Sequence, residues 1–225
     1  MGNRVLLVEG EDDQHVMWNV FEVRKMPDVS KVRRPNEDRV SEGRGYESGG
    51  DTVLLDAIPR WLLRTDLERL AVVMDANGRG PNARWDSIRG RLVNAGYQHI
   101  PEKLPARGVV FELSPSPRTP RPIRFGAWIM PDNRSPGMLE DFVAGLIRAG
   151  DAMLARVDQF LGAIPADQRR FVPARHPKAR IHSWLALSER PGRPMGQAVK
   201  AEKYIDAHHP SVQPFLDWVQ RALVD

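Results

Sequence analysis

The chain has 225 residues and a mass of 25.4 kDa, the size of one large domain or one domain with a small appendage. Hydrophobic residues make up 41% and charged residues 28%, a globular composition. The absence of cysteine excludes a disulfide scaffold, thiolate metal sites and a cysteine nucleophile, and fits a reducing, cytoplasmic setting. The net charge of +4 is uneven, with 17 basic and 18 acidic groups in residues 1–112 and 16 basic and 11 acidic groups in residues 113–225.

No apolar run approaches the roughly 18 residues that span a membrane. The opening MGNRVLLVEGEDD turns acidic after a short apolar run and does not read as a signal peptide. Arg4–Val8 has the form of a strand buried on both faces. From Asp12 a helix is expected, with Val16, Met17, Val20 and Phe21 on one stripe. A second strand is expected around Val29–Val32, then a polar, glycine-rich loop over residues 35–51. Thr52–Leu63 reads as a helix that Pro59 bends or divides.

Glu68–Met74 is a second buried strand, ending at Asp75. A turn and a helix over about Ala83–Ala95 follow, closed by Gly96. Gly108–Leu113 and Ile123–Met130 read as strands, joined by the proline-rich connector SPSPRTPRP. Helices are expected over Met138–Arg148, Asp151–Ile164, His176–Leu187, Met195–Ile205 and Val212–Leu223. The alternation of strand and helix predicts an α/β fold, a mostly parallel sheet flanked by helices, with a helical C-terminal extension. The division is an α/β part over residues 1–148 and an extension over 149–225 packed on it.

In open parallel sheets, ligands bind beyond the carboxyl ends of the strands. Glu9 ends the first strand and Asp75 ends a later one, so both project from one edge if the two strands are parallel. Asp13 lies four residues past Glu9, across the Gly10 turn, and faces the same site. Carboxylates gathered at one edge repel each other unless a cation separates them. Mg²⁺ or Mn²⁺ is the natural neutraliser, because hard cations take oxygen ligands. The competing reading is that these acids cap helices, and it is strongest for Glu140 and Asp141.

VLLVEGEDD, followed by AVVMDAN, resembles the Toprim domain of topoisomerases, bacterial primases and the overcoming-lysogenization-defect nucleases. GMLEDF at residues 137–142 looks like the acidic helix start of those nucleases. The segments PDN..GMLED and HPKARIHSWLA..ERPGRP are similar to an uncharacterised bacterial family with a Toprim-like domain. The resemblance implies a Toprim-like sheet and Glu9, Asp13, Asp75 and Glu140 as metal ligands, with Asp141 beside them. It implies two-metal hydrolysis of phosphodiester bonds in DNA or RNA, in phage defence or DNA repair. The chain departs from the family's Asp-x-Asp at Asn77, which offers a carbonyl oxygen without a charge. That leaves open a one-metal site, a two-metal site, or a non-catalytic module that binds nucleic acid or a partner ATPase.

Residues 168–184 interleave Arg169, Arg170, Arg175, Lys178 and Arg180 with aromatic residues, a pattern suited to a nucleic-acid backbone. The competing reading there is a solvated charged turn. The nucleases place a basic residue near their metals from a later helix, and Lys200 and Lys203 are the candidates for that role here. No GKS/T phosphate loop occurs, so any ATPase partner would be a separate chain. No GxSxG nucleophile elbow occurs either.

Overall fold

The structure is a computed structural model and describes residues 3–26, 32–35, 50–115, 119, 121–200 and 204–225. Residues 29–31, most of the expected loop at 35–51, parts of the proline-rich connector, and Lys203 lie outside the described residues.

The elements in chain order are β1 (Asn3–Leu7), α1 (Glu11–Val23), β2 (Val32–Arg33), α2 (Asp51–Leu62), β3 (Leu67–Asp75), α3 (Pro81–Asn94), β4 (Val109–Leu113) and β5 (Ile123–Met130). They continue with α4 (Leu139–Ala144), α5 (Ala152–Ala163), α6 (His176–Ala186), α7 (Met195–Lys200) and α8 (Gln213–Val219), which runs into a π-helical turn at Gln220–Val224. The five strands form one sheet in the order β2-β1-β3-β5-β4. All neighbours are parallel except β4, which pairs antiparallel with β5 at the edge. Among the described residues, no helix is long and apolar enough to cross a membrane.

Side chains alternate between the two faces of a strand, so each strand feeds two cores. Val5, Leu7, Leu70, Val72, Phe125 and Ala127 pack against α2 and α3 through Leu54, Ile58, Trp61, Trp85, Ile88 and Leu92. Leu6, Val8, Ala71, Val73, Trp128 and Met130 face α1 and the C-terminal helices. The expected α1 stripe of Val16, Met17, Val20 and Phe21 is buried in that second core. Residues beyond 149 share it. Trp128 meets Phe215 at 5.5 Å and Trp218 at 5.8 Å between ring centroids, and the Trp218 indole donates to the Val109 carbonyl at 2.9 Å. A side chain at Gly126 would come within 2.8 Å of Ala222 Cβ, so this strand position admits little but glycine.

Three expectations need correction. Of the expected bend or division at Pro59, the division does not occur: α2 is one helix through Pro59, with Leu54, Leu55, Ala57 and Ile58 before it and Trp61 and Leu62 after it buried. α4 is only six residues long, against the expected Met138–Arg148. The next helix begins with the anticipated cap, the Leu154 amide donating to Asp151 Oδ1 at 2.7 Å. The third concerns α3, which starts at Pro81 rather than Ala83; proline suits a first helical position, where its missing N–H leaves nothing unpaired.

Candidate functional site

β1 and β3 are adjacent and parallel, with Leu7 in register with Val72, so their carboxyl ends open at the same edge. Glu9 follows β1 and Asp75 ends β3. The Asp75 amide donates to Glu9 Oε1 at 2.8 Å, which couples the two strand ends directly. The Leu139 amide, at the start of α4, donates to Asp75 Oδ1 at 2.9 Å. Asp13, in the first turn of α1, accepts from the Gly10 amide at 3.2 Å. Glu140 is fully buried, and Lys178 on α6 reaches across to donate to its Oε1 at 2.5 Å.

Each carboxylate thus has one oxygen engaged by a backbone amide or by Lys178. Glu140 Oε2 is shielded from solvent and has no hydrogen-bond partner among the described residues. A cleft of about 820 Å³ opens over Glu9, Asp13 and Asp75, with Arg84, Arg175 and Lys178 on its walls. A second cleft, of about 320 Å³, shares Asp13, Asp75 and Lys178 and reaches His15 and Pro194.

Burial and mutual repulsion dominate the electrostatics. Burial, then the charges of Glu9 and Glu140, push Asp13 up to about 7. Burial, then Asp13, Glu9 and Glu140, push Asp75 up to about 9. Burial also raises Glu9, although the Asp75 amide opposes it. Burial works against the Lys178 ammonium, yet Glu140, Asp75 and Asp13 outweigh it and hold its proton more tightly than usual. Four carboxylates therefore face one ammonium, and on Glu9 the Arg84 guanidinium acts more strongly than Lys178 does.

That excess of buried negative charge, and the orphaned Glu140 oxygen, suit a hard divalent cation. Among the described residues, no three His, Cys, Asp or Glu side chains are already gathered as a ligand set for a metal ion. Lys178 engages Glu140 Oε1, and backbone amides engage one oxygen each of Glu9, Asp13 and Asp75.

The remaining expected residues divide clearly. Asn77 lines the larger cleft with its backbone in the left-handed region, φ +49°. Its amide donates to the Gly137 carbonyl at 2.7 Å, tying the end of β3 to the loop before α4. Asp141 accepts from the Met138 amide at 2.9 Å, the helix-capping role, while also lining the cleft.

Among the expected basic residues, Arg175 and Lys178 line the larger cleft. Arg180 is committed to Asp158, both nitrogens of its fork donating at 2.6 and 2.9 Å. Arg169 donates to the Ile164 carbonyl at 3.4 Å and lies over the Phe171 ring. Arg170 is exposed. Lys200 pairs with Glu22 on α1 and does not line either cleft. The cation that reaches the carboxylates from a later helix is Lys178.

Two residues of the cleft escaped the sequence reading. Arg84, in the first turn of α3, is 4% exposed. It donates to Asp51 Oδ2 at 2.6 Å and to the Ala76 carbonyl at 3.4 Å, between Asp75 and Asn77. The signal was an arginine in the first turn of the helix that follows the Asp75 strand. Its partner, Asp51, lies past a glycine-rich stretch with no pattern of its own.

The chain belongs to the family described as proteins of unknown function DUF3226, whose sequence profile matches residues 3–224. No curated protein and no solved structure matches it.

Proposed function

We propose that the protein is a divalent-metal-dependent nuclease of Toprim type, which hydrolyses phosphodiester bonds of DNA or RNA. The observation that carries this reading is the under-neutralised carboxylate cluster at the strand ends, with a buried Glu140 oxygen that lacks any donor. Bound Mg²⁺ or Mn²⁺ would lower the pKa of a coordinated water and neutralise charge at the phosphate.

The chain's own groups supply position. The Asp75 and Leu139 amides orient Glu9 and Asp75, so each presents its second oxygen from a fixed carboxylate. Lys178 fixes Glu140 and carries positive charge at the cleft wall, where a substrate phosphate would lie. Arg84 braces the Asp75–Asn77 turn through the Ala76 carbonyl. Arg175, exposed on the wall, is available to a neighbouring phosphate.

The test is cleavage of plasmid DNA and of tRNA in Mg²⁺ or Mn²⁺ by the native chain and by Glu9→Gln. Metal-dependent cleavage by the native chain, lost in the variant, supports the reading. Equal products from both, or none with either ion, overturns it.

The second reading is a non-catalytic module for nucleic acid or for a partner ATPase. Asn77 favours it, because it brings no charge where the Toprim pattern has a second aspartate. Titration calorimetry with Mn²⁺ separates the two: absence of binding favours the module.

A further inference from the structure

At the opposite end of the sheet, three arginines stand side by side. Arg4 on β1 is in register with Arg69 on β3, and Arg69 is in register with Arg124 on β5. Each stands at an even spacing from the residues of its own strand that face the C-terminal helices: Leu6 and Val8, Ala71 and Val73, Trp128 and Met130. They therefore project from one face, in a single row across three parallel strands. Like charges directly opposite on neighbouring strands destabilise a sheet.

The carboxylates nearby do not balance the row. Glu112, the β4 residue in register with Arg124, accepts from it at 2.8 Å. Arg124 also donates to the Arg221 carbonyl at 3.3 Å, at the end of the last helix. Asp66 is engaged by Asn3 and Arg64. Glu68 adjoins Arg69 in sequence and so points to the other face of β3. Arg221 and Arg107 lie close by and add positive charge, while Asp217 and Asp225, the carboxylates that act on Arg221, accept from Gln213 and Gln220.

Arg69, at the centre, has no hydrogen bond or ion pair among the described residues, and its Nη1 is shielded from solvent without a partner. A shielded donor without an acceptor costs stability, and a charged one costs more. The patch is rich in donors and short of acceptors. An oxyanion supplies what is missing, because guanidinium forks match tetrahedral oxygens through paired charge-assisted hydrogen bonds.

We infer that the Arg4–Arg69–Arg124 row is a binding site for a phosphate group, at the edge of the sheet away from the carboxylate cluster. The ligand is free phosphate or the phosphate of a nucleotide; both offer the same dianionic oxygens. The site stands on its own residues and does not depend on the nuclease reading.

The test is thermal unfolding of the full chain in EDTA, at constant pH and ionic strength, as chloride is replaced by inorganic phosphate. A parallel series uses AMP. Site occupancy predicts a phosphate-specific rise in Tm of about 3–6 °C at ten times the Kd. Arg69→Gln should lose most of that rise, and in chloride should unfold no lower than the native chain. Arg4→Gln, at the end of the row, should lose part of it and serves if Arg69→Gln does not fold. A response to AMP but not to inorganic phosphate assigns the nucleotide; a response to both assigns the phosphate group itself. No phosphate-specific rise in the native chain with either ligand overturns the inference. So does an equal rise in the native chain and the variants.

Discussion

The Lys178 ammonium lies 2.5 Å from Glu140 Oε1, joining α6 to the first turn of α4, and Glu140 is fully buried while Lys178 reaches the cleft. The pair is asymmetric. Removing the lysine strands a buried carboxylate among three others, whereas removing the glutamate frees an ammonium that water can reach.

Lys178→Met should therefore destabilise the chain more than Glu140→Gln. Breaking a buried pair costs about 3–5 kcal/mol, and an exposed pair contributes under about 1 kcal/mol. Lys178 is 37% exposed, so a loss of about 2 kcal/mol is expected for Lys178→Met. Urea unfolding in EDTA measures it. Under the nuclease reading, Mn²⁺ should restore part of the loss, since a cation then faces Glu140 again.

Stability without divalent ions should fall as pH rises. Asp13 is pushed up to about 7 and Asp75 to about 9, while an unfolded aspartate titrates near about 4. The folded chain thus keeps protons that the unfolded chain has released. The contribution is intact below about pH 4 and is lost progressively up to about pH 9. Urea midpoints in EDTA across that window should decline. A flat or rising profile would contradict the cluster. Added Mn²⁺ should flatten the decline if the site takes a cation.

Asn77→Asp tests the one departure from the Toprim pattern. Aspartate tolerates the left-handed backbone that Asn77 adopts at φ +49°, so the swap carries little conformational penalty. It adds a carboxylate to the cleft. Mn²⁺ affinity should rise about tenfold, a small part of the several kcal/mol that a close charge pair represents before desolvation. Calorimetry measures it, and an unchanged or weaker affinity counts against metal binding beside Asn77.

Gly137→Ala should be costly although it adds one methyl group. Gly137 has φ +150°, and a Cβ there would stand 2.8 Å from Asp141 Oδ2 and 3.0 Å from Pro131 Cδ. A loss of about 1–3 kcal/mol is expected, the range for such backbone strain. The Gly137 carbonyl also holds the Asn77 amide, so metal response should weaken with it. Urea unfolding and Mn²⁺ titration read the two effects separately.

Arg84→Lys keeps the charge but loses the fork that joins Asp51 to the Ala76 carbonyl. Under the nuclease reading, it should lower cleavage about 10- to 100-fold, the scale for residues that orient ligands indirectly. Stability should fall by about 1–3 kcal/mol, since Arg84 is buried and its hydrogen bonds to the half-buried Asp51 and to the Ala76 carbonyl are weakened.

Much of this was legible along the chain. Buried parallel strands are continuous apolar runs, so RVLLV and ERLAVVM announced themselves, and the acids that end them marked one edge. Glu9, Asp13 and Asp75 were readable because strand, turn and first helical turn are local geometry. Glu140 was ambiguous, since an acid in a first helical turn looks the same whether it caps or is buried.

Tertiary structure alone decided the rest. Lys178 had the look of a phosphate contact, and only packing of α6 against α4 brings it to Glu140. Arg180 and Lys200 looked available until Asp158 and Glu22 took them. Arg84, Asp51 and the arginine row are invisible in one dimension, because strand register and helix packing join residues far apart in sequence. Periodicity reports which face a residue takes; it carries no information on which charge will stand opposite. The physical reason is that charge pairing is a property of distance in space, and distance is set only once the two cores have closed on the sheet.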